Sequence, residues 1–286
     1  MAVYKRTYHG YTGDLTPEWS RFLVIARHAW RGLFLSRPLS GFFLACFLPF
    51  LVAGSMIYLS HNSAVLSLFK IQGGRLIEID AVFFRNFLNA QVGFSFLLTA
   101  FAGPGLISPD LANNSLVLYF CRPFSRTEYV LGKFTVLAAL LSLITWVPGL
   151  LLFGMEGSLS GFSWMWDNLY IAGAIFLSSA LLIAVLSLLA LALSAWVKWK
   201  PVAGALVLGV MFLGAGFGVA INEVMRTDMG DLVNILVLLR TVRDALFRLP
   251  QPGNFSASLA GLALAAIAAS CLYLLSRKLR AYEVVR

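Results

Sequence analysis

Six times along this chain the apolar residues stop alternating with polar ones and run almost unbroken, over 39–60, 86–107, 129–153, 169–197, 201–221 and 257–276. A helix needs about 20 such residues to cross the hydrocarbon of a bilayer. The pattern therefore predicts an all-α polytopic membrane protein with six transmembrane helices. Residues 1–38 are expected to form a polar tail and an amphipathic interfacial helix, 39–276 the membrane domain, and 277–286 a polar tail. Within the six runs the charged side chain is Lys133, near the start of the third, where its stem can snorkel to the surface.

Shorter patterns flank the runs. Ahead of the first, Thr16 can cap a helix that opens on Pro17 and Glu18. Trp19, Phe22, Leu23, Ala26, Trp30, Leu33 and Phe34 recur at three- and four-residue steps, with Arg21, Arg27, His28 and Arg31 largely elsewhere on the wheel. Such a helix either anchors in the headgroups or collars a partner. Between the fifth and sixth runs, 231–249 places Leu232, Ile235, Leu236, Leu239, Val242 and Leu246 opposite Arg240, Arg243, Asp244 and Arg248. That pattern predicts a second surface helix, packed on the bundle or lidding an exit. Gly214 and Gly218 form a GxxxG in the fifth run, and Ala257, Gly261, Ala265 and Ala269 step by four in the sixth. These stripes serve close packing within one bundle or between two chains.

Composition agrees. The chain has 286 residues, 59% apolar and 12% charged, with a mean hydropathy of +0.83, whereas soluble domains carry roughly 25% charge. Its net charge of +9 reflects Lys and Arg beside apolar runs, which is headgroup anchoring rather than nucleic-acid binding. Lys and Arg are denser in the N-terminal tail, the second-to-third link, the fourth-to-fifth link and the C-terminus than in the alternate loops. That bias predicts cytoplasmic termini and a plasma-membrane location, the inner membrane of a bacterium. Cys46, Cys121 and Cys271 are far apart, as are His9, His28 and His61, so neither a disulfide framework nor a metal site is expected. The first run is long enough to be kept as an anchor rather than cleaved as a signal.

Catalytic patterns are lacking in the sequence. Gly132-Lys133 has Thr127 where a P-loop needs its first glycine and Phe134 where it needs Ser or Thr. The chain is expected not to be an enzyme and to hold no cofactor; ATP would be used by a partner. An ion-coupled carrier would keep a mid-membrane Asp, Glu or His, and the runs hold none. The second run carries the polar cluster Asn86, Asn89, Gln91, Ser95 and Thr99, either interhelical hydrogen bonds or the wall of a substrate path. Gly103-Pro104-Gly105 is expected to break or bend its far end.

After that bend comes ISPDLANNSLVLYFCRPFSRTEYVLGK. Ser108 can cap a short helix with Pro109 first and Asp110 in its first turn, running to about 120 and ending before Pro123. Ser125 is a plausible cap for the third span. ISPDLANNSLVLYF, then RPFSR (Arg122, Pro123 and Arg126 among them), Tyr129 and Gly132-Lys133 resemble the ABC type 2 permeases, the membrane subunits of ATP-binding-cassette exporters. The resemblance implies that 109–120 is a cytoplasmic coupling helix, with Asp110, Leu116, Leu118, Arg122, Pro123, Arg126, Tyr129, Gly132 and Lys133 at the docking region. It implies a separate ATPase subunit as partner and a second permease subunit, in a homo- or heterodimer, with a path between the two. A membrane scaffold that couples to an ATPase without transporting, and an ion-coupled carrier, are the competing classes. The short link WVKWKP leaves little room for a second docking helix.

Overall fold

The computed structural model describes residues 17, 20–62, 78–120, 125–250 and 255–278, with Val117, Leu118 and Phe120 described in backbone only. Thr16, Glu18 and Trp19 of the lead helix, Cys121, Arg122, Pro123 and the tail beyond 278 lie outside the described residues. Six helical stretches are long and apolar enough to span a membrane: Arg37–His61, Ala81–Ala112, Arg126–Ser160, Leu169–Trp196, Lys200–Met225 and Ala257–Lys278. The chain is a multi-pass membrane protein, and each stretch overlaps one of the six expected runs.

Each of the first three spans is broken where a proline removes a backbone donor. The first is α2 (Arg37–Ala45) and α3 (Leu48–His61), parted at Cys46–Phe47 because Pro49 offers no N–H to Ala45. The second is α4 (Ala81–Ala102) and α5 (Pro104–Ala112). The helix breaks at Gly103 as expected, with Gly103 itself at right-handed helical angles, φ −55° and ψ −49°. The third is α7 (Arg126–Ser142) and α8 (Trp146–Ser160), parted before Pro148. The short helix α6 (Ser115–Phe120) joins the second span to the third, and α9 (Phe162–Asp167) leads into the fourth, α10 (Leu169–Trp196). The fifth span α11 (Lys200–Met225) runs into a 3₁₀ turn (Met229–Val233) and α12 (Ile235–Leu246); α13 (Ala257–Lys278) is the sixth, and α1 (Arg21–Phe34) precedes them all.

The fourth span is the hub. It touches α4, α5, α7, α8, α11, α12 and α13, and 67% of its apolar stretch is buried, against 17%, 11% and 22% for the first, fifth and sixth spans. Lipid is as apolar as leucine, so these helices associate through close fit rather than through escape from water. Where Pro104 frees the carbonyl of Ala100, α11 approaches so closely that a Cβ on Gly204 would lie 2.8 Å from that oxygen.

Of the two small-residue stripes, the one in the fifth span serves close packing within the chain and the one in the sixth is not the packed face. A Cβ on Gly218 would lie 2.9 Å from the carbonyl of Gly230, so the GxxxG of α11 receives the 3₁₀ turn of its own chain. In α13 the packed face is Ala260, Leu264, Cys271 and Leu275, while Ala265 and Ala269 are exposed. The lead helix α1 is amphipathic as expected, yet it is docked along α7 with Ala26 and Leu33 buried and Leu23 exposed.

Candidate functional site

Three residues singled out from the sequence meet at the end of the bundle that carries α1. Asp110 lies in the last turn of α5; its Oδ2 accepts a hydrogen bond from the Tyr129 hydroxyl at 2.7 Å and stands 2.8 Å from Lys133 Nζ. Tyr129 and Lys133 are four residues apart on α7 and so share one face. Tyr129 is fully buried and Lys133 nearly so. The lysine therefore does not snorkel outward as expected: a carboxylate from the neighbouring span satisfies it within the bundle. An enclosed ion pair holds where further hydrogen bonds complete it, and the tyrosine supplies one.

The surrounding elements lock onto this pair. On α6, Tyr119 packs against the Tyr129 ring with centroids 5.4 Å apart. Burial first, then the Asp110 charge, pushes the Tyr119 pKa up, so its hydroxyl stays protonated. On the other side α1 seats against Gly132, where a Cβ would lie 2.9 Å from the Phe22 carbonyl oxygen. Ser125 caps α7 as expected: its Oγ accepts from the Glu128 N–H at 3.2 Å while Glu128 Oε2 accepts from the Ser125 N–H at 2.6 Å. Glu128 was not singled out from the sequence, although Ser-x-x-Glu is the signature of that reciprocal cap.

The link between the spans differs from the single helix expected over 109–120. Pro109 lies inside α5 rather than at a helix start, and Asp110 near its end. Ser108 caps nothing of its own; it is buried and donates to the Ser194 carbonyl at 3.1 Å. That carbonyl belongs to the last turn of α10, which lacks intrahelical donors. Asn114, at φ 52°, turns the chain between α5 and α6, a conformation asparagine tolerates. Leu116 is half-buried against the core and Arg126 is exposed at the head of α7. The Leu118 side chain, Arg122 and Pro123 are outside the described residues. Beside the ion pair a cavity of about 810 Å³ opens between α1, α2, α5 and α7, with Asp110, Lys133, His28 and Lys200 on its walls.

The five polar residues of the second span do not form one wall. Gln91, Ser95 and Thr99 are buried four residues apart on the packed face. Gln91 Nε2 donates to the Cys46 carbonyl at 3.1 Å, at the break made by Pro49, and Thr99 Oγ1 donates to the Ser95 carbonyl at 2.7 Å. Asn86 and Asn89 are exposed, and Asn89 Oδ1 accepts from Arg243 Nη2 at 2.9 Å.

Two enclosed acidic residues at the opposite end were not anticipated. The third span reaches Ser160 and carries Glu156 with it, fully buried, 3.6 Å from His61 and accepting from Ser160 Oγ at 2.5 Å. On α12, Arg243 and Asp244 are buried rather than turned to the surface. His61, Arg85 and Asn89, which reach them from other helices, lie far off along the chain, which no periodicity reveals. Among the described residues no group of His, Cys, Asp and Glu is arranged to hold a metal, and Cys46 and Cys271 are free thiols. No protein-family model matches this chain, and no curated protein matches it.

Proposed function

We propose that this chain is the membrane-spanning subunit of an ATP-binding-cassette exporter, driven by a separate ATPase subunit that docks on the α5–α6 segment. The observation that carries the reading is the clamp on Asp110 by Tyr129 and Lys133. A partner outside the membrane can move transmembrane helices only through a connection that does not slip. Here the end of the second span, α5, is tied to the third by an enclosed ion pair and a hydrogen bond and to the fourth by Ser108, and α6, which follows it, adds an aromatic contact to the third.

On this reading the α1 end faces the cytoplasm of a bacterium, and ATP is bound and cleaved by the partner. A second permease subunit, identical or related, covers the thinly buried faces of the first, fifth or sixth spans. Of the second-span cluster Asn89 lines a cavity, which supports a contact with cargo there.

Reconstitution in vesicles with candidate ATPase subunits tests this. An exporter subunit raises its partner's ATP turnover and moves cargo. A scaffold raises turnover alone. An ion-coupled carrier moves cargo without ATP or partner; Glu156 gives that class little support, since it sits near the end of its span rather than at mid-membrane.

A further inference from the structure

A second charged cluster, at the opposite end from the Asp110 clamp, is out of balance. Arg85 of α4 and Arg240 of α12 approach the two oxygens of Asp244, Nε to Oδ1 at 3.8 Å and Nε to Oδ2 at 3.6 Å. Arg243 reaches to Asn89. Two guanidiniums thus share one carboxylate, and a third, on the adjacent residue, bonds an amide. Arg243 and Asp244 are 5% and 3% exposed, whereas the side chains of Arg85 and Arg240 are 22% and 50% exposed. The Nε atoms of Arg85 and Arg243 are buried without a hydrogen-bond partner among the described residues.

Burial draws Arg243 down to about 10, which still leaves it charged at neutral pH. An enclosed charge without a counter-charge is strongly unfavourable beside a membrane. A bound anion would complete the enclosed Arg243 guanidinium, whose Nε has no partner among the described residues.

There is room for one. Between α4, α11 and α12 lies a cavity of about 400 Å³ whose polar walls are Asn89, Asn234, Arg240 and Arg243. Asn89 Oδ1 is taken by Arg243, and Asn234 Oδ1 by the N–H of Leu236 at 3.1 Å. Both amides therefore present their NH₂ groups, which are donors. No acidic side chain lines the cavity, and Val92, Met211 and Leu239 make the rest of its wall apolar. Guanidinium forks matched with donor amides suit the oxygens of a carboxylate or phosphate.

We propose that this cavity binds an anionic group, carboxylate or phosphate, carried on a molecule with an apolar body, with Arg240 and Arg243 as its counter-ions and Asn89 and Asn234 as donors. The site depends on no ATPase and stands whether or not the chain is an exporter subunit. Two sources share that chemistry, an anionic lipid headgroup and a soluble amphiphilic anion.

The test uses the full chain in phosphatidylcholine nanodiscs and follows its thermal unfolding. One arm replaces part of the lipid with phosphatidylglycerol, and the other titrates a short-chain alkyl phosphate against the matching alcohol. At least one anionic probe raises Tm while the alcohol does not; the first arm marks a lipid source, the second a soluble one. Arg240→Gln, half-exposed and therefore compatible with folding, weakens binding by about tenfold, as expected for losing one charged hydrogen-bond donor. Arg243→Gln abolishes it, and Arg27→Gln on the outer face of α1 leaves it unchanged. The proposal is overturned if neither probe shifts Tm, if the alcohol acts equally, or if the shift is unchanged in Arg240→Gln.

Discussion

Removing the charge of Asp110 leaves Lys133 enclosed and cationic beside a tyrosine, which is the costly way to break a buried pair. Asp110→Asn is expected to destabilise the chain by about 3 kcal/mol, read as a lowered midpoint of unfolding in detergent. Combining it with Lys133→Met is expected to recover most of that loss, because an apolar pair of similar volume avoids the unpaired charge. If the double variant is no more stable than Asp110→Asn, the two side chains act independently and the clamp is not what ties α5 to α7. The pair was half visible in the sequence. Asp110 and Lys133 were both singled out, each on its own segment, but spacing along a chain does not say which of two adjacent helices presents the facing carboxylate. Lys133 read alone looked like a snorkelling lysine because the long stem permits either direction.

At the scale of elements, spans were legible and their interruptions were not. A hydropathy run averages over many residues, so the single donors missing at Pro49 and Pro148 do not register, although each splits a helix in two. Gly103-Pro104 is the exception: a break or bend is expected there and the helix is interrupted between Ala102 and Pro104. Caps divide in the same way. Ser125 and Glu128 satisfy donors within reach of each other and are local enough to read; Ser108 satisfies a carbonyl of α10, which only the fold brings near. Ser125→Ala is expected to lower stability by about 1 kcal/mol and to speed amide exchange in the first turn of α7, with no change on α13. On α6, Leu116→Asp puts a carboxylate where a half-buried leucine meets the core. Partner ATPase stimulation is expected to fall sharply while membrane insertion persists; unaltered stimulation would place the docking surface elsewhere.

For the whole molecule, the division between a densely packed fourth span and thinly buried first, fifth and sixth spans decides where other chains or lipid can bind. The glycine pair of α11 illustrates why a motif alone does not locate an interface. Gly218 is already filled by the 3₁₀ turn of the same chain, so Gly218→Val is expected to lower the stability of the isolated subunit by displacing Met229–Val233. A variant of unchanged stability but reduced self-association would instead place that glycine between two copies. The charge balance also differs between the ends: at the α1 end Lys133 and Asp110 meet one to one, whereas at the other Arg85 and Arg240 share Asp244 and Arg243 bonds Asn89.

The central claim is that the α5–α6 segment faces the compartment that holds ATP and takes up work there. Asn113, exposed between the two helices, is the place to ask. With Cys46, Cys121 and Cys271 replaced by alanine, Asn113→Cys is treated with a membrane-impermeant thiol reagent in intact cells and again after the cells are opened. The account predicts no labelling until the cells are opened, and protection from it when the partner ATPase is bound; labelling of intact cells would contradict it.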